Sequence, residues 1–516
     1  MLVLRALAFF GYSMQLTKRH LWLTLLSTLI IRLLFAGFMP LTGDEMYFIE
    51  WGRHLDYGYY DHTPMVGWLL AALLHFGDAP VWLRLPQILI VTFIGWAIYR
   101  LLRDTHPKSA VMAAILFLIA PINVLGVLIT TDTPLLFWSF LSALCFYRTQ
   151  KDDALGWYLL TGLLLGLAFF SKFFAGLLGV AYVIYTLLYV RRGWRPWRGI
   201  GLIILGTLPF IFLNLLWNYN HCWDNYLFNL INRTEGDSFS FELPAKYLLM
   251  LIYLLSPAVV YYYIKEGRKS LHPRTGIGVF SSLFIICYSL FLLLSFWVSI
   301  GLHWLLSFYP FVFIGMASVF SATALRRTFY FMLPYSLVHV LVLAVLLVMG
   351  PGLFRDNKSI YRDLVYGFYS DRMVEMLAPY RGEYILATDS YTESAILSYR
   401  RGGVHVPVLG VGSHHARQDD MVTDFRKLEG KNILLLSYSS KLEQHRDWFD
   451  SIEIHTLSIA GTKFYYLLGR GFRYKTYHRE VLERVLSDYY RIPDYLPVGR
   501  CGMFEKYGKP KKQDGG

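Results

Sequence analysis

Charged side chains are scarce in this chain, at 16% of 516 residues, against roughly a quarter in an ordinary soluble protein. That shortage excludes a conventional soluble domain. Cysteine is scarce too, and Cys145, Cys222, Cys287 and Cys501 have no metal-binding spacing. There is no glycine-rich nucleotide loop and no internal repeat. The formal net charge of +13 is not gathered into a stripe or tail, which excludes a nucleic-acid footprint. A convincing cleavable leader is also missing: residues 1–16 carry a single Arg and end in polar residues, and they are expected to lie along the inner membrane surface.

What is abundant is apolar length. Hydrophobic residues make up 55% of the chain, and laid out as bilayer-crossing helices they give about eleven spans. The runs are 21–38, 81–102, 110–129, 134–147, 155–170, 173–190, 199–217, 247–264, 277–298, 302–324 and 329–349. Basic residues fall on alternate connections: Lys18 and Arg19, Arg100 to Lys108, Arg148 and Lys151, Arg191 to Arg195, Lys265 to Lys269, and Arg326 with Arg327. The positive-inside rule places these in the cytoplasm together with the N-terminus. The loop at Asp44 and everything after Met349 then face outward. Cys222 and Cys501 share that side, where a disulfide between them is open but not the expectation.

The expected fold class is therefore an α-helical polytopic membrane protein with a C-terminal extracytoplasmic α/β domain. Residues 1–350 form the membrane domain, with outward loops at 40–80 and 218–246, and residues 351–516 form the outer domain. In that domain "YILATD", "VHVPVLG" and "NILLLSY" read as strands, followed by a strand pair across 451–468. Segments 390–401, 419–428, 440–449 and 477–490 read as helices. The domain looks like an accessory to chemistry located elsewhere.

Unusual polar groups collect in the outward connections. The first loop carries Asp44 and Glu45, then Asp61 and His62; the next carries Asp132 in "ITTDTP". Lys172 interrupts "FFSKFF", the loop after the seventh span carries His221, Asp224 and Arg233, and "GLHW" brings His303. Each has a plainer reading. Tyr57, Tyr59, Tyr60, Trp217 and Trp223 suit an interfacial aromatic belt. Asp132 suits a helix cap before Pro134. Lys172 and the intraspan Arg32 suit snorkelling to lipid phosphates. Asp44 and Glu45 suit a solvated loop, although two like charges beside apolar walls are costly to keep.

Four stretches, in this order and spacing, carry a resemblance: "RLLFAGFMPLTGDEMYFIEWGRHLDYGYYDHTPMVGWL", "TTDTPLLFW", "GLLLGLAFFSKFFAGLL" and "LNLLWNYNHCW". Together they resemble the polyprenyl-phosphate-sugar-dependent glycosyltransferases of the GT-C superfamily, in the bacterial branch that contains lipid A aminoarabinose transferase and is related to the protein O-mannosyltransferases. The resemblance implies Asp44 as the catalytic carboxylate with Glu45 beside it. It implies a divalent metal ion of unspecified identity on Asp61 and His221, and donor-phosphate contacts at Lys172, His62, Arg233 and His303. Asp132 and Arg32 would be further cavity residues. The chain departs from the pattern where a Lys is expected in place of His62, and where a Lys is expected shortly before His303.

The implied activity is inverting transfer of a sugar from an undecaprenyl-phosphate-type carrier to a lipid, polysaccharide or protein acceptor outside the inner membrane. The implied location is the bacterial inner membrane, with the C-terminal domain periplasmic. An alternative class is a lipid or sugar transporter or flippase, although those commonly keep ionisable groups near the bilayer midplane. Most of the charged groups here lie in outward loops, which are expected to fold together into one charged chamber.

Overall fold

The computed structural model describes residues 16–189, 194–232, 238–270, 277–412 and 416–509. Nearly all of the expected surface segment at residues 1–16, together with Arg191, Arg192, Arg233 and residues 510–516, lies outside these residues. The chain divides into two units. One consists of the described residues of Met1–Met39, Ala79–Ile211 and Asp237–Val348, the other of those of Pro40–Asp78, Phe212–Gly236 and Met349–Gly516. The expected boundary at 350 is close to the start of the last segment, and two of the outward loops group with that segment.

In the membrane unit and the helices leaving it, five described helices are long and apolar enough to cross a bilayer: Lys18–Phe38, Pro80–Leu102, Trp194–Asn220, Leu302–Val319 and Ala322–Phe354. Shorter apolar helices, Pro107–Ile119, Leu155–Phe169, Ala175–Tyr189 and Gly278–Leu294, accompany them, and Asp132–Asp152 adds a longer one that ends in charged residues. The eleven expected runs are thus all helical in part, but several are not single full-length spans. Run 110–129 stops at Ile119 because Pro121 supplies no amide donor, and it resumes only as Pro121–Leu125. Run 247–264 is broken at Ser256, whose φ is +74°, immediately before Pro257. The two halves, Glu242–Leu255 and Pro257–Gly267, bend by 98°. Run 302–324 opens as a tight 3₁₀ turn, Leu302–Phe308, and ends at Val319.

Packing in this unit depends on small residues. A Cβ on Gly162 would lie 2.2 Å from the Ile203 carbonyl oxygen, and one on Gly206 would lie 2.7 Å from that of Leu159. Helices Leu155–Phe169 and Trp194–Asn220 therefore meet backbone to backbone, as membrane helices do where no hydrophobic gain separates helix from lipid. Ala113, Ala114, Leu116, Phe117, Phe311 and Phe313 are fully enclosed at the centre.

The other unit is built on a four-stranded sheet of order β1-β2-β4-β3, where β1 is Ile385–Thr388, β2 is Ile433–Ser437, β3 is Phe449–Ile459 and β4 is Thr462–Phe472. β1 and β2 run parallel, and β4 is antiparallel to both β2 and β3. Strand β2 is buried throughout, which matches its uninterrupted Ile-Leu-Leu-Leu run. The expected strand at 404–410 makes only an isolated bridge, Thr388 to Val408, because Pro407 cannot donate to a ladder. The expected helix at 440–449 is a 3₁₀ segment, Leu442–Trp448, and that at 419–428 is a short helix, Gln418–Val422, followed by a 3₁₀ turn. A disulfide joins Cys222 to Cys501, 279 residues apart, which corrects the expectation that the two do not pair. Helix Gly502–Tyr507 is thereby tied to the loop carrying His221.

Candidate functional site

The first outward loop folds as helix Gly43–Arg53, whose N-cap Thr42 forms a capping box with Glu45. Thr42 donates its backbone amide to Glu45 Oε2 at 2.9 Å, and its hydroxyl accepts from the Glu45 amide at 3.3 Å. Glu45 is fully buried in this role. Asp44 has a different position: it keeps solvent access, and none of the described residues gives its carboxylate a hydrogen bond or ion pair. Its pKa is raised, first by the protein packed around it, then by the Asp61 carboxylate; His62 opposes this and Glu45 adds to it. The two adjacent acids are thus separated by environment, one holding the helix end and one available for chemistry.

The rest of the loop is wound around this helix. Tyr59 stacks on Trp51 at 4.4 Å and donates to its carbonyl, and the Tyr59 amide bonds back to the His62 carbonyl at 2.9 Å. That turn sets His62 Nδ1 3.1 Å from Asp61 Oδ2, with the His62 ring between Phe48 and Trp51. Asn225 and Asn229, from the loop that follows the helix Trp194–Asn220, hold the first loop by donating to the carbonyls of Tyr59 and Asp61. The two loops are thereby held to each other. Tyr59, Tyr60, Trp217 and Trp223 are buried in this assembly and are not belt anchors; only Tyr57 of that group stays exposed.

The C-terminal segment also reaches Asp44. Helix Tyr391–Arg400 lies on the Asp44 helix: a Cβ on Gly43 would be 2.3 Å from Thr392 Cγ2, and Tyr391 packs on Tyr47 at 5.2 Å. The Asp44 carboxylate contributes to raising the pKa of Tyr391, after burial. Sequence reasoning missed Tyr391, and no local signal links it to a loop more than three hundred residues earlier.

His221 has contacts of its own. Its Nδ1 lies 2.8 Å from the Trp217 carbonyl, and its Nε2 is 3.8 Å from Asp56 Oδ2. Among the described residues no group of three or more His, Cys, Asp or Glu is placed to hold a metal ion. Asp61 and His221 are each placed against a neighbour of their own, and no step below runs through a metal. Asp224, three residues on, is fully buried, and neither carboxylate oxygen has a hydrogen-bond partner among the described residues. Burial, with Asp420 second, drives its pKa well above the carboxylate range.

In the membrane unit, Lys172 Nζ sits 3.0 Å from both Oδ1 and Oδ2 of Asp132. Both side chains are largely enclosed, at 11% and 5% exposure. Lys172 does not snorkel and Asp132 does not cap: the helix begins at Asp132, and the carboxylate is used on the lysine. Arg32 does not snorkel either. It is fully buried and donates to the Asn123 carbonyl and to Thr92 Oγ1. Arg84, which the sequence hid inside an apolar run, is equally buried and donates to the carbonyls of Ala36 and Met39. His303 is exposed at the start of its 3₁₀ turn.

The dolichyl-phosphate-mannose-protein mannosyltransferase family profile matches residues 61–217. The lipid A galacturonosyltransferase RgtD of Rhizobium johnstonii is 27% identical over 182 residues, which is 34% of this chain and 38% of that protein. The match thus spans well under half the length of this curated relative. The fold matches that of ArnT from Cupriavidus metallidurans bound to undecaprenyl phosphate, with a TM-score of 0.61 and 15% identity over 88% of this chain and 98% of that one. The apo state of the same protein gives a TM-score of 0.59 at 15% identity, over 87% and 98%. The resemblance to GT-C polyprenyl-phosphate-sugar glycosyltransferases is borne out.

Proposed function

We propose that this chain is an inverting membrane glycosyltransferase that moves a sugar from a polyprenyl-phosphate carrier to a glycolipid acceptor at the outer face of a bacterial inner membrane. The observation that carries the assignment is the divergence of two neighbouring carboxylates: Glu45 is committed to a helix cap, while Asp44 is accessible, unpaired among the described residues and raised in pKa. A base held closer to neutrality than an ordinary Asp is suited to take the proton of an attacking hydroxyl. The carrier phosphate is already a good leaving group. The enzyme has mainly to supply cations to it, and we assign that work to Lys172, with His62, Arg233 and His303 as further contacts. Lys172 would exchange its Asp132 contact for the phosphate, or share itself between the two.

Two features support an outward location for the loop-bearing unit. Basic residues lie on the alternate connections, and the Cys222–Cys501 bond suits an oxidising compartment. The test is transfer of labelled sugar from a polyprenyl-phosphate donor to an extract of bacterial glycolipids by the purified full-length protein in nanodiscs. Carrier movement across proteoliposomes without sugar transfer would favour a flippase instead, and wild-type activity in Asp44→Asn would remove that carboxylate from its role.

A further inference from the structure

A groove of about 640 Å³ opens beside the His221 loop, lined by Leu55, Asp56, Tyr57, Trp68, Ala71 and Ala72. Its walls are aromatic and fixed. Trp68 donates its indole N–H to the Asp56 carbonyl at 2.8 Å, and Tyr57 stands edge-on to Trp68 at 5.7 Å while remaining 57% exposed. One end is polar and equally fixed. Asp56 Oδ1 accepts from the Trp217 indole at 2.9 Å and from the Tyr57 amide at 2.6 Å. Oδ2 is left pointing toward His221 Nε2, at 3.8 Å. The His221 ring in turn stacks on Trp217 at 4.4 Å.

The groove therefore offers an exposed tyrosine ring and a half-buried indole beside an oriented carboxylate oxygen, with the His221 imidazole next to that oxygen. An acyl chain would fit the walls but would cover a carboxylate without replacing its hydration, which is unfavourable. A pyranose satisfies both parts: its C–H face lies on Tyr57 and Trp68, and its hydroxyls donate to Asp56 Oδ2 and engage His221. We infer that this groove is a saccharide-binding subsite. The inference rests on the transferase reading above and adds a place for a sugar ring, belonging either to the donor or to the acceptor glycolipid.

The test compares wild type, Tyr57→Ala, Tyr57→Phe and Asp56→Asn as full-length proteins in nanodiscs, varying donor and acceptor separately. Tyr57→Ala and Asp56→Asn are expected to raise KM for one substrate about tenfold with kcat changed less than about twofold, while Tyr57→Phe stays near wild type. The substrate whose KM moves identifies the source of the sugar. Unchanged KM values for both substrates in Tyr57→Ala would overturn the inference. If the wild type transfers no sugar, the transferase reading fails, and the groove is then read by saturation-transfer NMR with the methyl glycosides of glucose, galactose, mannose and galacturonic acid. Transfer to a glycoside that is lost in Tyr57→Ala supports the subsite. No transfer to any glycoside with wild type, or displacement by decanoate, overturns it.

Discussion

Replacing Asp132 by Asn while Lys172 is kept would leave an ammonium enclosed in the membrane unit with no counter-charge. At the observed 3.0 Å, and with an effective dielectric of about 20, the lost attraction is about 5 kcal/mol gross, and breaking a buried pair by removing one partner costs about 3–5 kcal/mol in practice. Removing both partners as Asp132→Asn with Lys172→Met deletes the stranded charge and is expected to recover most of that loss. The two proposed roles of Lys172 separate at this point. As a packing element only, its loss in the double variant would be harmless to turnover once stability returned. As the phosphate cation, its loss would leave transfer down by about a hundredfold or more in a protein of near-normal stability. Thermal unfolding in nanodiscs followed by tryptophan fluorescence reports the first quantity, and labelled-sugar transfer the second. A double variant that regains both stability and transfer would refute the assignment of Lys172 to the donor phosphate.

Asp44→Asn should lower kcat by at least about a hundredfold without moving the unfolding temperature, whereas Glu45→Gln should weaken the capping box, costing about 1 kcal/mol, and retain most turnover; initial rates and thermal melts separate the two. Because the Asp44 pKa is raised, the acid limb of kcat against pH should lie above the ordinary carboxylate value, and substituting Asp61→Asn should shift it down. Glu393 is raised to about 7, mainly by burial. A carboxyl whose folded-state pKa is raised contributes stability below its unfolded value and loses it as pH rises toward 7, so about 3 kcal/mol is at stake across that window. The unfolding temperature should fall between pH 5 and 8 in wild type and less steeply in Glu393→Gln; parallel profiles would refute this. Cys222→Ser with Cys501→Ser should destabilise the protein by about 2–5 kcal/mol, measured as a lower unfolding temperature that reductant does not lower further.

Local pattern made much of this fold legible. Alternation and composition located β1, β2 and the β3–β4 hairpin within a few residues, and apolar length located a helix in every expected run. What it could not deliver was the effect of a single breaker inside such a run: Pro121 and Ser256–Pro257 end helices whose hydrophobicity continues past them. Long-range pairing was illegible for another reason. Nothing near Lys172 names Asp132 as its partner, nothing near Arg84 names the Ala36 and Met39 carbonyls, and the spacing of Cys222 and Cys501 carries no register. The motif residues of the first loop were visible because they are unusual locally, whereas Asp56 was overlooked beside Asp61 although the structure sets it opposite His221.

The contrast between Asp44 and Glu45 depends on packing to which the C-terminal segment contributes. Helix Gly43–Arg53 has to bury Glu45 and leave Asp44 accessible, and a helix whose end frayed would solvate both acids alike. Its position is maintained on one side by the Thr42–Glu45 cap and on another by Thr392 and Tyr391, which close on Gly43 and Tyr47. A Cβ at position 43 would lie 2.3 Å from Thr392 Cγ2, so a larger residue there makes Thr392 or its helix shift. The packing that raises Asp44 is therefore supplied partly by a helix that begins at Tyr391, and a Gly43→Ala substitution should lower the apparent pKa of the acid limb together with stability, because it loosens that packing and hydrates the carboxylate more fully. If Gly43→Ala destabilised the protein while the acid limb stayed where it was, the C-terminal helix would have no part in tuning the base.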